Sequence, residues 1–131
     1  MTVRLFIIMG VLFTVPANTE PSIVKKIICK ESSGNPKAIS HKGARGLIQV
    51  MPRTANEIHL KLFKTPISKK DLLDPYKNLA IGQAYLLQLL WEYKGNWEKA
   101  LTAYNAGPTK ARKSPKSKYA NSILKGDPCS P

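Results

Sequence analysis

Apolar residues along most of this chain recur every three or four positions rather than every second one, the period of helices packed on one face. The first such stretch predicts a helix over Pro21 to Ser33, halted by Gly34-Asn35-Pro36, a stop-and-turn sequence. Residues 37 to 45 are polar and read as a loop, and Gly46-Leu47-Ile48-Gln49-Val50 is apolar but too short to assign. Pro52 suits the first turn of a helix running through Thr54, Ala55 and Ile58. Ser68-Lys69-Lys70-Asp71 fits a capping box ahead of Leu72 and Leu73.

The longest helix is expected to start with Asp74 as N-cap and Pro75 behind it, to carry Leu79, Ile81, Tyr85, Leu86, Leu89, Leu90 and Tyr93, and to end before Gly95. Asn96 is placed to cap a further helix, Trp97 to Asn105, which Gly107-Pro108 stops. A basic segment, Lys110 to Lys118, then leads to a short last helix around Tyr119 to Leu124. Alternation of period two is not sustained, so β-structure is expected to be minor or absent, and no repeat or linker divides the chain. The pattern predicts a mainly α fold in one compact domain.

The N-terminus follows a different rule. Met1 to Arg4 carries a positive charge, Leu5 to Val15 is an apolar run of signal-peptide length, and Val15-Pro16-Ala17 offers small residues for cleavage. The run is short for a membrane span. Residues 1–17 are therefore read as an export signal, with a first core helix or an uncleaved anchor as the alternatives. Residues 18–131 are read as the working domain, ending in a short basic segment and acting in the periplasm or cell envelope.

Composition adds three constraints. With 131 residues, 43% hydrophobic and 22% charged, the chain can bury one core and is not a disordered tail. Its formal charge of +13, from 21 basic and 8 acidic residues, attracts polyanions such as nucleic acid, anionic lipid or an acid-rich envelope. Export and the lack of a recognised reading helix or aromatic platform argue against nucleic acid. Two cysteines occur, Cys29 and Cys129, and both an intramolecular disulfide and a pair of unpaired thiols stay open. Neither cysteine has a metal-spaced partner, and His41 and His59 stand apart, so no metal and no cofactor are expected.

The candidate chemistry centres on Glu31. It ends the first predicted helix, and Val24, Ile27 and Ile28 precede it by seven, four and three positions, the offsets of one helical face. A carboxylate on an apolar face is desolvated, which raises its pKa and lets it hold and donate a proton near neutrality; a solvated helix-end glutamate is the plain alternative. Glu57, the next acid along, lies between Arg53 and Lys61 on a predicted helix, and Asp71, Asp74 and Glu98 have the neighbours of caps and surface positions. A second catalytic carboxylate, which most glycosidases need, is not expected.

Glu31-Ser32 followed by Asn35-Pro36, then Gly46 to Pro52, then Ala103-Tyr104-Asn105-Ala106-Gly107, together with Asn78-Leu79, Gly82 and Tyr85-Leu86, resemble in order and interval the lytic transglycosylase family that shares the goose-type lysozyme fold. The resemblance runs from about Pro21 to Leu124. It implies a lysozyme-like helical domain that acts on peptidoglycan glycan strands as a monomer. It also implies cleavage of the β-1,4 bond between N-acetylmuramic acid and N-acetylglucosamine without water, leaving a 1,6-anhydro end. Glu31 is then the catalytic acid and afterwards the base, with Tyr104 beside it. Ser32, Ser40, Gly46, Gln49, Met51, Asn105 and Tyr119 match positions of the family's substrate groove.

Two departures stand out. Ala100 to Gly126 contains no Asp or Glu, where related sequences often carry an acid ahead of the late tyrosine, and Ile48 stands where methionine is common. A hydrolytic lysozyme on the same scaffold is one alternative. A non-catalytic wall-binding component of a secretion or conjugation apparatus is another, and a secretion, conjugation or phage assembly is the kind of partner to expect.

Overall fold

The computed structural model describes residues 3–8, 11–16 and 20–131, with side chains from Ile23 onward. The cleavage point expected at Ala17 lies outside the described residues. Ahead of it the backbone forms strands β1 (Val3–Ile8) and β2 (Val11–Pro16), paired antiparallel with Val3 opposite Pro16 and Ile8 opposite Val11. Both segments are rich in the β-branched and aromatic residues that favour strands.

Every other regular element among the described residues is helical: α1 (Glu20–Ser32), α2 (Pro52–Phe63), a 3-10 turn (Asp71–Leu73), α3 (Pro75–Glu92), α4 (Trp97–Ala106), α5 (Pro108–Lys113) and α6 (Lys118–Leu124). Local chemistry explains most boundaries. Ser33 and Gly34 turn left-handed just past α1, at φ 51° and 83°. The capping box at Ser68 is complete: the Ser68 hydroxyl accepts from the Asp71 N–H at 3.1 Å, and Asp71 Oδ2 accepts from the Ser68 N–H at 3.3 Å. It opens a single 3-10 turn, however, because Asp74-Pro75 starts a new helix at once. The Asp74 carboxylate accepts from the Lys77 N–H at 3.0 Å, and the Asn96 side chain accepts from the Lys99 N–H at 3.0 Å.

α3 ends at Glu92, before Gly95 as expected, and both Lys94 and Gly95 turn left-handed past it, at φ 53° and 81°. The Lys94 N–H bonds to the Trp91 carbonyl at 3.1 Å and the Gly95 N–H to the Leu90 carbonyl at 2.8 Å, the pair of bonds of a Schellman ending. One expectation needs correction: the basic segment from Lys110 is partly helical, since Pro108 opens α5 and Ala111 is fully buried.

The fold divides into two units, Ile27–Tyr85 and residues up to Lys26 with Leu86–Pro131. In the first, Ile27, Ile48, Val50, Ala55, Ile58, Leu72 and Ile81 are buried. Residues 45–50 form a tight turn closed by reciprocal 3.0 Å bonds between the backbones of Arg45 and Val50. Gly82 of α3 lies flat against this turn, and a Cβ there would overlap the Ile48 side chain.

In the second unit α5 and α6 both pack on α4. The buried faces are small, with Ala100, Ala103, Ala111 and Ala120 beside Leu101 and Ile123, so the helices approach closely. Leu101 and Ile123, both fully buried, each contribute roughly 1.5–3 kcal/mol. Thr102, buried in α4, donates to the Pro115 carbonyl at 2.7 Å and lies 2.9 Å from the Ser117 hydroxyl. Ser117 caps α6 by accepting from the Ala120 N–H at 3.0 Å. Both cysteines are disulfide-bonded and none is free, which resolves the alternatives the sequence left open.

Candidate active site

Glu31 follows Ile23 and Ile27 along one stripe of α1, at the i+8 and i+4 positions. Those isoleucines are buried, and Glu31, one residue short of the helix end, is half-buried. Its backbone setting is fixed by its neighbour. The Ser32 hydroxyl lies 2.7 Å from the Leu47 carbonyl and 3.2 Å from the Ile28 carbonyl, and it accepts from the Gly34 N–H at 3.2 Å. Ser32 thus ties the end of α1 to the 45–50 turn, and its hydroxyl is committed inside the protein rather than held open to a sugar.

That turn is fixed from its other side by Asn78 of α3, which is fully buried. Asn78 Oδ1 accepts from the Ile48 N–H at 3.0 Å, and its Nδ2 donates to the Arg45 carbonyl at 2.8 Å and the Leu72 carbonyl at 3.0 Å. The spacing Asn78-Leu79 was visible in the sequence as a family-like feature, but its part as a three-way pin was not. Gly46 is buried at φ 81°, and a Cβ there would overlap the Asn78 amide and come within 2.6 Å of the Leu72 carbonyl. Gly46 was expected to let the backbone approach substrate or Glu31; the close approach it permits is to Asn78 and Leu72.

Three further groove candidates belong to this unit. The Ser40 hydroxyl accepts from the Ala44 N–H at 3.0 Å, which folds the loop and leaves the Ser40 O–H as a donor. Gln49 takes the left-handed conformation at φ 52°. Its amide nitrogen donates to the Ala38 carbonyl at 3.1 Å and the Gly46 carbonyl at 2.9 Å, so both N–H bonds are spent and Oε1 is the atom left to meet a ligand. Met51 is 41% exposed in extended backbone just before α2, a surface position and not core filling.

Tyr104, Asn105 and Tyr119 belong to the other unit. Tyr104 is half-buried and Asn105 exposed near the C-terminal end of α4, whereas Tyr119 is buried in α6. Of the other acids weighed, Glu57 pairs with Arg53 at 3.3 Å on the surface of α2, Asp74 caps α3, and Glu98 lies in the first turn of α4. Asp71 holds Lys77 at 2.9 Å; that ammonium and the Ser68 hydroxyl lower its carboxyl to about 2. No group of three His, Cys, Asp or Glu able to hold a metal occurs among the described residues.

Residues 15–125 match the model of the transglycosylase SLT domain family. The chain is similar to the soluble lytic murein transglycosylase of Escherichia coli K12, at 41% identity over 93 residues covering 70% of this chain and 14% of the relative. It is also similar to a transglycosylase of Enterobacteria phage PRD1, at 35% identity over 109 residues covering 82% of this chain and 37% of the relative. Among solved structures, the 70 kDa soluble lytic transglycosylase in complex with bulgecin A superposes with a TM-score of 0.72 at 32% identity, covering 85% of this chain and 22% of that one. An inactive glutamate-to-glutamine mutant of Slt from Pseudomonas aeruginosa superposes with a TM-score of 0.64 at 33% identity, over 82% of this chain and 18% of that one. The chain therefore spans only about a seventh of the length of the first relative.

Proposed function

Because the chain belongs to the transglycosylase SLT domain family, we propose that it is a peptidoglycan lytic transglycosylase that uses Glu31 as its one catalytic carboxyl group. The observation that carries this reading is the setting of Glu31. It is half-buried on the apolar stripe of α1, beside a serine that braces the helix end against the 45–50 turn. Partial burial and the carbonyl-rich end of a helix both work against a bare negative charge, so the group suits a proton donor.

The reaction proceeds in two steps that share this group. Glu31 gives its proton to the oxygen bridging N-acetylmuramic acid and N-acetylglucosamine, and the bond from that oxygen to the anomeric carbon breaks as positive charge builds on the muramic ring. The muramic 6-hydroxyl then attacks the anomeric carbon and returns its proton to Glu31, leaving a 1,6-anhydro ring and consuming no water. Glu57, Asp71 and Asp74 are occupied in surface pairing or capping, which favours a route that needs no water-activating base. An inactive Pseudomonas relative carries a glutamate-to-glutamine change, in keeping with a reaction that rests on one glutamate.

By the family resemblance Tyr104 is assigned to the catalytic machinery, and Ser40, Gln49, Met51, Asn105 and Tyr119 to substrate binding. Ser32, Gly46 and Asn78 keep the turn and the helix end in register. Residues 1–17 serve as the export signal in this reading, and no described helix is long and apolar enough to cross a membrane. The similarity to a phage transglycosylase supports an enzyme that opens the wall locally, alone or within a larger assembly.

The test is mass analysis of the fragments released from purified peptidoglycan. Anhydro ends, one water lighter than hydrolytic products, are expected from the wild type and none from Glu31→Gln. Reducing ends would replace the assignment with a hydrolase, and full activity in Glu31→Gln would remove Glu31 from the chemistry.

A further inference from the structure

The cations of α5 and its surroundings have no assigned part in the reaction. Lys110, Arg112, Lys113, Lys116 and Lys118 are exposed, as is Lys125 beyond them, and no Asp or Glu occurs from Ala100 to Gly126. None of these six joins either described ion pair, Arg53–Glu57 or Lys77–Asp71. Unneutralised like charges on one short segment repel and work against the compact state. Their placement has a second feature. α5 packs on α4, and Lys110 follows Asn105, an exposed residue assigned to the groove, by only five positions.

We propose that this surface binds the carboxylates of the stem peptides carried by the muramic acid residues of the strand being cleaved. The inference rests on the function proposed above, since it makes the peptide part of the same substrate. A ligand held next to Asn105 must be borne by the polymer in the groove, and the free carboxylates of a peptidoglycan strand are on its peptides. Lys110 and Lys113 stand three residues apart on α5, neighbours on a helix surface, and so can meet two carboxylates of one peptide. A lipid surface fits less well. Apart from Leu124, no large apolar side chain is exposed between Ala100 and Gly126 to enter a bilayer beside the cations.

The experiment measures binding of the full chain to intact sacculi and to the same glycan stripped of its peptides by an amidase, with the lactyl carboxylate that this cleavage frees on each muramic acid blocked as its amide, next to product release from each. The wild type is compared with Lys110→Gln/Arg112→Gln/Lys113→Gln/Lys116→Gln and with the charge-keeping Lys110→Arg/Lys113→Arg. Circular dichroism and Tm check that all three are folded. At low salt the wild type should prefer the peptide-bearing material by roughly tenfold, the scale of a few exposed charge pairs acting together. The preference should fall to near one in the Gln variant and at about 1 M salt, and persist in the Arg variant.

An equal preference in wild type and Gln variant, or none in the wild type, overturns the inference. So does a Gln variant that loses binding to phosphatidylglycerol vesicles while keeping its peptide preference, since the cations would then serve a lipid surface. Binding is read separately from turnover. A wild type that prefers peptide-bearing sacculi but releases no anhydro ends sinks the proposed reaction alone, and one that releases them without the preference sinks this inference alone.

Discussion

Replacing Asn78 by alanine removes three hydrogen bonds at a position with no solvent exposure. The Ile48 N–H and the carbonyls of Arg45 and Leu72 lose their side-chain partner together. At about 1–3 kcal/mol for each orphaned buried group, and with water and the vacated volume relaxing part of the loss, the cost comes to roughly 3–6 kcal/mol. That is a large share of the stability of a domain of this size. Asn78→Asp sharpens the test because it keeps the shape and changes one donor into an acceptor. The introduced carboxylate, when ionised, could still accept from Ile48 but would turn its second oxygen toward two carbonyls. Protonated, it could donate to one of them.

The folded-state pKa of the introduced acid should therefore lie above its unfolded value of about 3.9. The penalty relative to wild type is smallest below that value and grows as pH rises toward the folded pKa. Urea denaturation followed by tryptophan fluorescence, at matched pH for all three proteins and without reductant, gives the numbers. A loss below about 1 kcal/mol for Asn78→Ala, or an Asn78→Asp penalty that does not change with pH, would refute the three-way pin.

Lys64 ends α2 in the left-handed region at φ 60°, so Lys64→Gly should stabilise by about 0.5–1 kcal/mol, read as a higher urea midpoint. Asp71 titrates at about 2 instead of 3.8. A depressed folded pKa gives stability that is present above the unfolded value and lost as pH falls from about 4 to about 2. The stability gap between wild type and Asp71→Asn should close over that interval. Reduction of the disulfide opens a covalent loop of about 100 residues and should cost roughly 4–5 kcal/mol on the chain-entropy model, measured as the shift in Tm with and without dithiothreitol.

The helix plan was legible because this chain marks most boundaries with side chains that act locally. Asp74-Pro75 and Asn96 do so through short-range hydrogen bonds that a reader of sequence can anticipate. What escaped depends on tertiary placement. α5 reads as solvated lysine, because only Ala111 of its six residues is buried and one alanine carries no periodic signal. Lys94 and Gln49 sit in left-handed backbone that neither residue type announces.

Glu31 could be selected from its spacing on an apolar stripe and from the family resemblance. Its bracing could not, since the Ser32 bond to Leu47 spans fifteen residues and Asn78 reaches back over thirty-three to Arg45. Ser32 and Gly46 match groove positions by the family resemblance, and the contacts they make within the protein are to Ile28, Leu47, Asn78 and Leu72. A hydroxyl or a glycine in a motif does not announce such contacts.

The absence of a side chain at Gly82 makes its fate and that of Ile48 inseparable. The space a Cβ would need at 82 is already filled by the Ile48 side chain, so the residues tolerated at one position depend on what occupies the other. Any lineage or library that enlarges position 82 must accommodate a shifted or smaller side chain at position 48. Two positions that look independently variable in the sequence therefore constrain each other.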